Sequence, residues 1–139
     1  MLNKLNKNRG GFTLVEIMIV VAIIALLASV AVPSFLRARK RSQATAVKND
    51  LRLIDAAVDQ YAIENNKAAG VQPTGADISK YLKTGTRLQV AAANNAITDQ
   101  LGNTVAVPTV DALPKLPTTT NTALSDVADA NFWAPYSIN

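Results

Sequence analysis

The stretch Arg9-Gly10-Gly11-Phe12-Thr13-Leu14-Val15-Glu16 leads directly into an apolar run over residues 17–32. That run continues to Phe35 and Leu36 and is broken only by small or hydroxyl residues and by Pro33. As a helix it can cross a hydrocarbon core of about 30 Å, so the segment reads first as a membrane span. In lipid every backbone N–H needs a partner within the segment, which selects helix. Pro33 removes one such donor and crowds the carbonyl of Ser29, so a kink or local unwinding is expected there.

Glu16 is the residue that an ordinary span does not explain. It lies one helical turn past Phe12, and an unpaired carboxylate in hydrocarbon is costly enough that it should find a partner or be neutral. No basic residue within the apolar run can serve. A secretory signal peptide fits poorly as well. It would be cleaved after the apolar run, where Pro33-Ser34-Phe35-Leu36-Arg37 offers no small-x-small site.

The short Lys/Arg-bearing leader, the motif Gly11-Phe12-Thr13-Leu14-Val15-Glu16 and the apolar run with Pro33 together closely resemble the class III signal of type IV pilins and type II secretion pseudopilins. The resemblance implies a structural subunit rather than an enzyme. A prepilin peptidase/methyltransferase would cleave between Gly11 and Phe12 and methylate the new Phe12 amine. An inner-membrane assembly platform would then draw the subunit, with copies of itself and other pilins, into a helical homo-polymer of the type IV pilus kind. Glu16 would set the register by meeting the Phe12 amine of a neighbour. That amine, with an unperturbed pKa near 8, is mostly cationic at neutral pH and is the partner the apolar run lacks. By the same resemblance, the helix would loosen around Pro33 as the subunit leaves the bilayer.

Two other functions stand beside this one. A pseudopilin of a type II secretion system would build a short periplasmic piston. A monomeric single-span membrane-anchored binding module would have no assembly to lose when Glu16 is changed. In the pilus and piston readings the subunit waits as a single-pass inner-membrane protein, with inner-membrane lipid as its partner, before joining a cell-surface or periplasmic filament.

Composition agrees. The chain has 139 residues, and its 49% apolar content is inflated by the membrane run. The formal charge is +4, but Lys4, Lys7 and Arg9 lie in the leader, so cleavage would reduce 14 basic residues to 11 against 10 acidic. A nearly neutral mature protein argues against nucleic acid as a partner. The basic leader is expected to stay cytoplasmic. Cysteine and histidine are absent. No disulfide can therefore close a C-terminal loop as in many proteins of the resembled family. The familiar zinc and haem ligands and the Ser-His or Cys-His nucleophiles are also missing, and no cofactor is expected.

The expected division is a leader over 1–11, a transmembrane or filament-core helix over 12–36, an amphipathic continuation over 37–66, and a small α+β head over 67–139 with a Pro-rich tail. Arg37, Arg39, Lys40 and Arg41 follow the apolar run and can reach headgroup phosphates. Ala44, Val47, Leu51, Ile54, Val58 and Tyr61 then recur at steps of three and four, one apolar stripe on a polar helix. Gly70, Pro73 and Gly75 place the helix end near Asn65 or Asn66. Along its exposed faces Arg37, Arg39, Lys40, Arg41, Lys48 and Arg52 lie early, whereas Asp50, Asp55, Asp59 and Glu64 lie mostly late. Staggered parallel helices could align opposite charges, or the charges could form a solvated face.

Thr74, with Asp77 three residues on, reads as the cap of a short helix with Ile78, Tyr81 and Leu82 facing inward and Gly85 ending it. Residues 87–93 and 104–110 are β-prone, with Asn94-Asn95 and Gly102-Asn103 as turns. An antiparallel sheet of three or four strands is therefore expected over the stripe, giving a pilin-like α+β fold with a long N-terminal helix packed on a small sheet. Asp99 reads as a turn residue, since a lone acid is a poor calcium cage. Pro108, Pro114 and Pro117 favour an irregular tail, pinned by Phe132 and Trp133.

Overall fold

The computed structural model describes residues 11–139. Of the expected leader, all but Gly11 lies outside the described residues. The first helix, α1 (Leu14–Glu64), is 51 residues long and passes through Pro33 without interruption. At its end Asn66 takes a φ of 47°, and the Lys67 amide donates to the Ala62 carbonyl at 2.9 Å. This left-handed stop satisfies carbonyls that the last turn leaves open.

The chain divides into two units between Leu36 and Arg37. In the first, the apolar side chains of α1 are uncovered: Leu26 is 69% and Val30 71% exposed. The helix is long and apolar enough to cross a membrane. Its hydroxyls turn inward on the backbone, Ser29 Oγ donating to Leu26 O at 2.7 Å and Ser34 Oγ to Val30 O at 3.4 Å, as a lipid-facing helix requires.

In the second unit the apolar stripe of α1 is the floor of the core. Ala44, Val47, Leu51, Ile54 and Val58 are buried together with Ala57, and Tyr61 is half-buried against them. Four short helices follow: α2 (Gly75–Ser79), α3 (Arg87–Ala93), α4 (Thr118–Leu124) and α5 (Ala130–Trp133). They and the intervening chain contribute Ile78, Leu88, Ile97, Leu116, Leu124 and Trp133 to the same core.

The Thr74 cap forms as expected. The hydroxyl and amide of Thr74 both donate to Asp77 Oδ2, at 2.6 and 2.9 Å, and the Asp77 amide donates to Thr74 Oγ1 at 3.3 Å.

The antiparallel sheet does not form among the described residues. Residues 87–93, expected as a strand, are helix α3, started by Thr86, whose hydroxyl accepts from the Gln89 amide. Asn94-Asn95, expected as a hairpin turn, is the stop of that helix: the Asn95 amide donates to Ala92 O at 2.9 Å and the Ala96 amide to Ala91 O at 3.0 Å. Over 104–110 the chain makes one antiparallel bridge, Thr98 to Thr104, and the other bridge, Leu116 to Ile138, is parallel. Pro108, Pro114 and Pro117 each lack the amide that a ladder would use. The tail is also more regular than expected, since α4 and α5 lie within it. Trp133 is fully buried and meets Phe132 edge to face, ring centroids 5.0 Å apart.

Candidate processing and assembly site

Gly11, Phe12 and Thr13 precede α1 in non-helical chain. Among the described residues nothing lies within 4 Å of the place where Gly11 would carry a Cβ, and Phe12 is 76% exposed.

Thr13 starts the helix. Its hydroxyl accepts from the Glu16 amide at 3.2 Å and its carbonyl accepts from the same amide at 3.1 Å. Glu16 is thereby placed in the first turn, where a carboxylate is favoured by the uncompensated amides. The Thr-x-x-Glu spacing is that of a capping box, and the structure uses its Thr13 half. Glu16 is exposed and forms no ion pair among the described residues. Gly11, Phe12 and Glu16 thus lie together at the entry to α1, whereas Pro33 lies far along it.

The charges beyond Leu36 are partly used within the chain. Lys40 pairs with Asp126 at 2.9 Å. Lys48 donates to the Phe132 carbonyl at 2.5 Å and lies 5.2 Å from the centroid of its ring. Asp50 pairs with Arg87. Asp59, next to Asp55, helps raise that carboxyl above its ordinary value, after burial as the larger cause.

Asp99 is a turn residue, as expected, and is also buried. Its Oδ1 accepts from the amides of Leu101 and Asn103, both at 2.9 Å, around Gly102 at φ 87°. Its Oδ2 accepts from the Thr120 hydroxyl, which in turn accepts from Asn103 Nδ2 at 2.9 Å. Local sequence carried no signal for the Thr120 partner.

These features amount to an exposed glycine-phenylalanine junction, an acid in the first helical turn and a membrane-length helix, the N-terminal architecture of a prepilin-type protein. The family described as the prokaryotic N-terminal methylation motif matches residues 6–32. Over 59 residues the chain is 39% identical to the type II secretion system core protein G of Pseudomonas aeruginosa, covering 42% of each chain. Over 60 residues it is 47% identical to the type IV wide pilus major component PilA4 of Thermus thermophilus, covering 43% of this chain and 46% of that one. Over 101 residues it is 35% identical to the type IV major pilin protein PilE1 of Neisseria gonorrhoeae, covering 68% and 58%. The chain spans less than half the length of the first two of these relatives. No solved structure is significantly similar. Over its N-terminal part the chain is thus similar to type IV pilins and to type II secretion core proteins, and it carries their N-terminal methylation motif.

Proposed function

We propose that the protein is a structural filament subunit, made as a precursor with a leader over residues 1–11 and anchored in the inner membrane through residues 12–36. Residues 37–66 continue the helix and 67–139 form the head. A prepilin peptidase cleaves after Gly11 and the Phe12 amine is methylated. An assembly platform then draws the subunit into a type IV pilus-like filament with copies of itself or other pilins. Glu16 sets the register by pairing with a neighbour's Phe12 amine, and Pro33 is where the helix loosens on leaving lipid.

One observation carries this reading: the acid of Glu16, exposed and without an ion pair among the described residues, stands at the head of an uncovered apolar helix. A monomeric anchor has no use for that acid. N-terminal mass spectrometry of the protein from cells tests processing. A chain beginning at methylated Phe12 supports it, and one beginning at Met1 refutes it.

The pseudopilin is the second reading, favoured by the likeness to type II secretion system core protein G. Electron microscopy of sheared surface material separates the two, since only the pilus emerges outside the cell.

A further inference from the structure

Four basic residues, Arg37, Arg39, Lys40 and Arg41, follow Leu36 within five positions, and the structure treats them unequally. Arg37 and Arg41 are four apart, hence on one face of α1. They line a cleft of about 600 Å³ with Ser125, Asp126, Asp129 and Phe132, and Arg39 is outside it.

Both carboxylates of the cleft are committed. Asp126 is held by Lys40 at 2.9 Å, and Asp129 Oδ1 accepts the Phe132 amide at 2.8 Å as the cap of α5. The Lys40 hydrogen bond, with a smaller contribution from the charge of Arg37, keeps the Asp126 carboxyl below its ordinary value. Arg37 and Arg41 form no ion pair among the described residues. Two guanidinium groups therefore remain for an outside anion; the Ser125 hydroxyl in the same lining is already spent on the Thr122 carbonyl, to which it donates at 3.0 Å. A guanidinium fork matches the oxygens of a phosphate.

The geometry points to a site for the phosphate of an anionic phospholipid headgroup, held by Arg37 and Arg41 while the apolar run stays in the bilayer. This rests on the membrane reading above. Arg37 directly follows the apolar run in sequence, so its side chain is within reach of headgroups if that run spans. A free phosphate has the same oxygens but is not held at that depth.

The test uses the full chain in mixed micelles with equal phosphatidylglycerol and phosphatidylcholine, retained lipids being counted by native mass spectrometry. The wild type is expected to retain phosphatidylglycerol preferentially. Arg37→Gln and Arg41→Gln each lower that preference about fivefold, and Arg39→Gln leaves it in place. Equal retention of the two lipids by the wild type overturns the proposal. So does a loss in Arg39→Gln as large as in Arg37→Gln, which would mean an unspecific basic collar, and so does displacement of the lipid by equimolar inorganic phosphate. Alkaline extraction from vesicles reports separately on the membrane reading. A chain that resists extraction yet shows no lipid preference counts against the cleft alone.

Discussion

Arg87 on α3 forms an ion pair with Asp50 on α1, and the same guanidinium donates to the carbonyls of Thr98 and, at 3.2 Å, Asp99. One side chain thus ties the long helix to a short one and to the turn around Gly102. The Asp50 side chain is 17% exposed and that of Arg87 42%, so water screens the pair only in part. Burial lifts the Asp50 carboxyl above its ordinary 3.8 and outweighs the opposing pull of Arg87.

Arg87→Met leaves that half-buried carboxylate without its cation and is expected to destabilise the protein by about 1–3 kcal/mol. Asp50→Asn costs less, because Arg87 keeps its two carbonyls and its access to water. The sign with pH follows from the loss of Arg87, whose charge pulls the Asp50 carboxyl down: without it the variant's folded state holds the proton more tightly than the wild type's and gains more stability as pH falls. The penalty of Arg87→Met therefore shrinks between pH 7 and pH 3, measured by thermal unfolding of the full chain in detergent. A penalty that grows in acid refutes this account of the pair.

The cap at Thr74 and Asp77 has the opposite sign. Hydrogen bonds from the Thr74 hydroxyl and amide hold the Asp77 carboxyl below its ordinary 3.8, so the stability they bring is present above that value and is lost as pH falls through the lowered one. Thr74→Ala is expected to cost about 0.5–2 kcal/mol at pH 7. In acid the gap between the variant and the wild type narrows without closing, because the Thr74 hydroxyl still accepts from the Asp77 amide, and two unfolding series run in parallel at both pH values settle the matter.

The residues that sequence alone placed correctly owe it to local chemistry. The stripe from Ala44 to Val58 is a period within one helix, and Thr74 and Asp77 are three residues apart. Residues 87–93 show how a short segment deceives. Leu88, Val90 and Ala92 alternate, which on a strand would put all three on one face. The helix instead buries Leu88 and Ala92, four apart, and turns Val90 out to 53% exposure. Three consecutive alanines and the Thr86 cap tip that balance. The Arg87 to Asp50 pair and the Thr120 to Asp99 hydrogen bond join residues 37 and 21 positions apart, and no local pattern announces such partners. At the candidate site, Gly11, Phe12 and Glu16 were legible as a motif, while the capping of the Glu16 amide by Thr13 emerged only from the structure.

Trp133 carries a buried indole N–H with no hydrogen-bond partner among the described residues. An unpaired buried donor costs about 1–3 kcal/mol, and Trp133→Phe removes it while leaving a ring to pack. The volume lost works against the donor removed, so Trp133→Phe is expected within about 1 kcal/mol of the wild type, whereas Trp133→Ala costs about 3–5 kcal/mol. Denaturant unfolding compares the two. If phenylalanine does as much harm as alanine, the N–H has a partner and the account fails.

Glu16 combines two roles that a single substitution can separate. Its amide is capped by Thr13 at 3.2 Å, and its carboxylate complements the start of α1. Glutamine at that position still suits a capped first turn but carries no charge for a neighbour's amine. Glu16→Gln is therefore expected to leave helix content by circular dichroism and resistance to alkaline extraction unchanged. Filament yield should fall at least about tenfold, the factor that a charge-assisted contact of about 1.5 kcal/mol carries. Thr13→Val reverses the pattern, fraying the first turn while filaments persist. Because an amine loses its charge as pH rises through a value near 8, wild-type polymerisation should hold at neutral pH and weaken in alkaline medium. Unimpaired filaments from Glu16→Gln would leave the acid as a cap and nothing more.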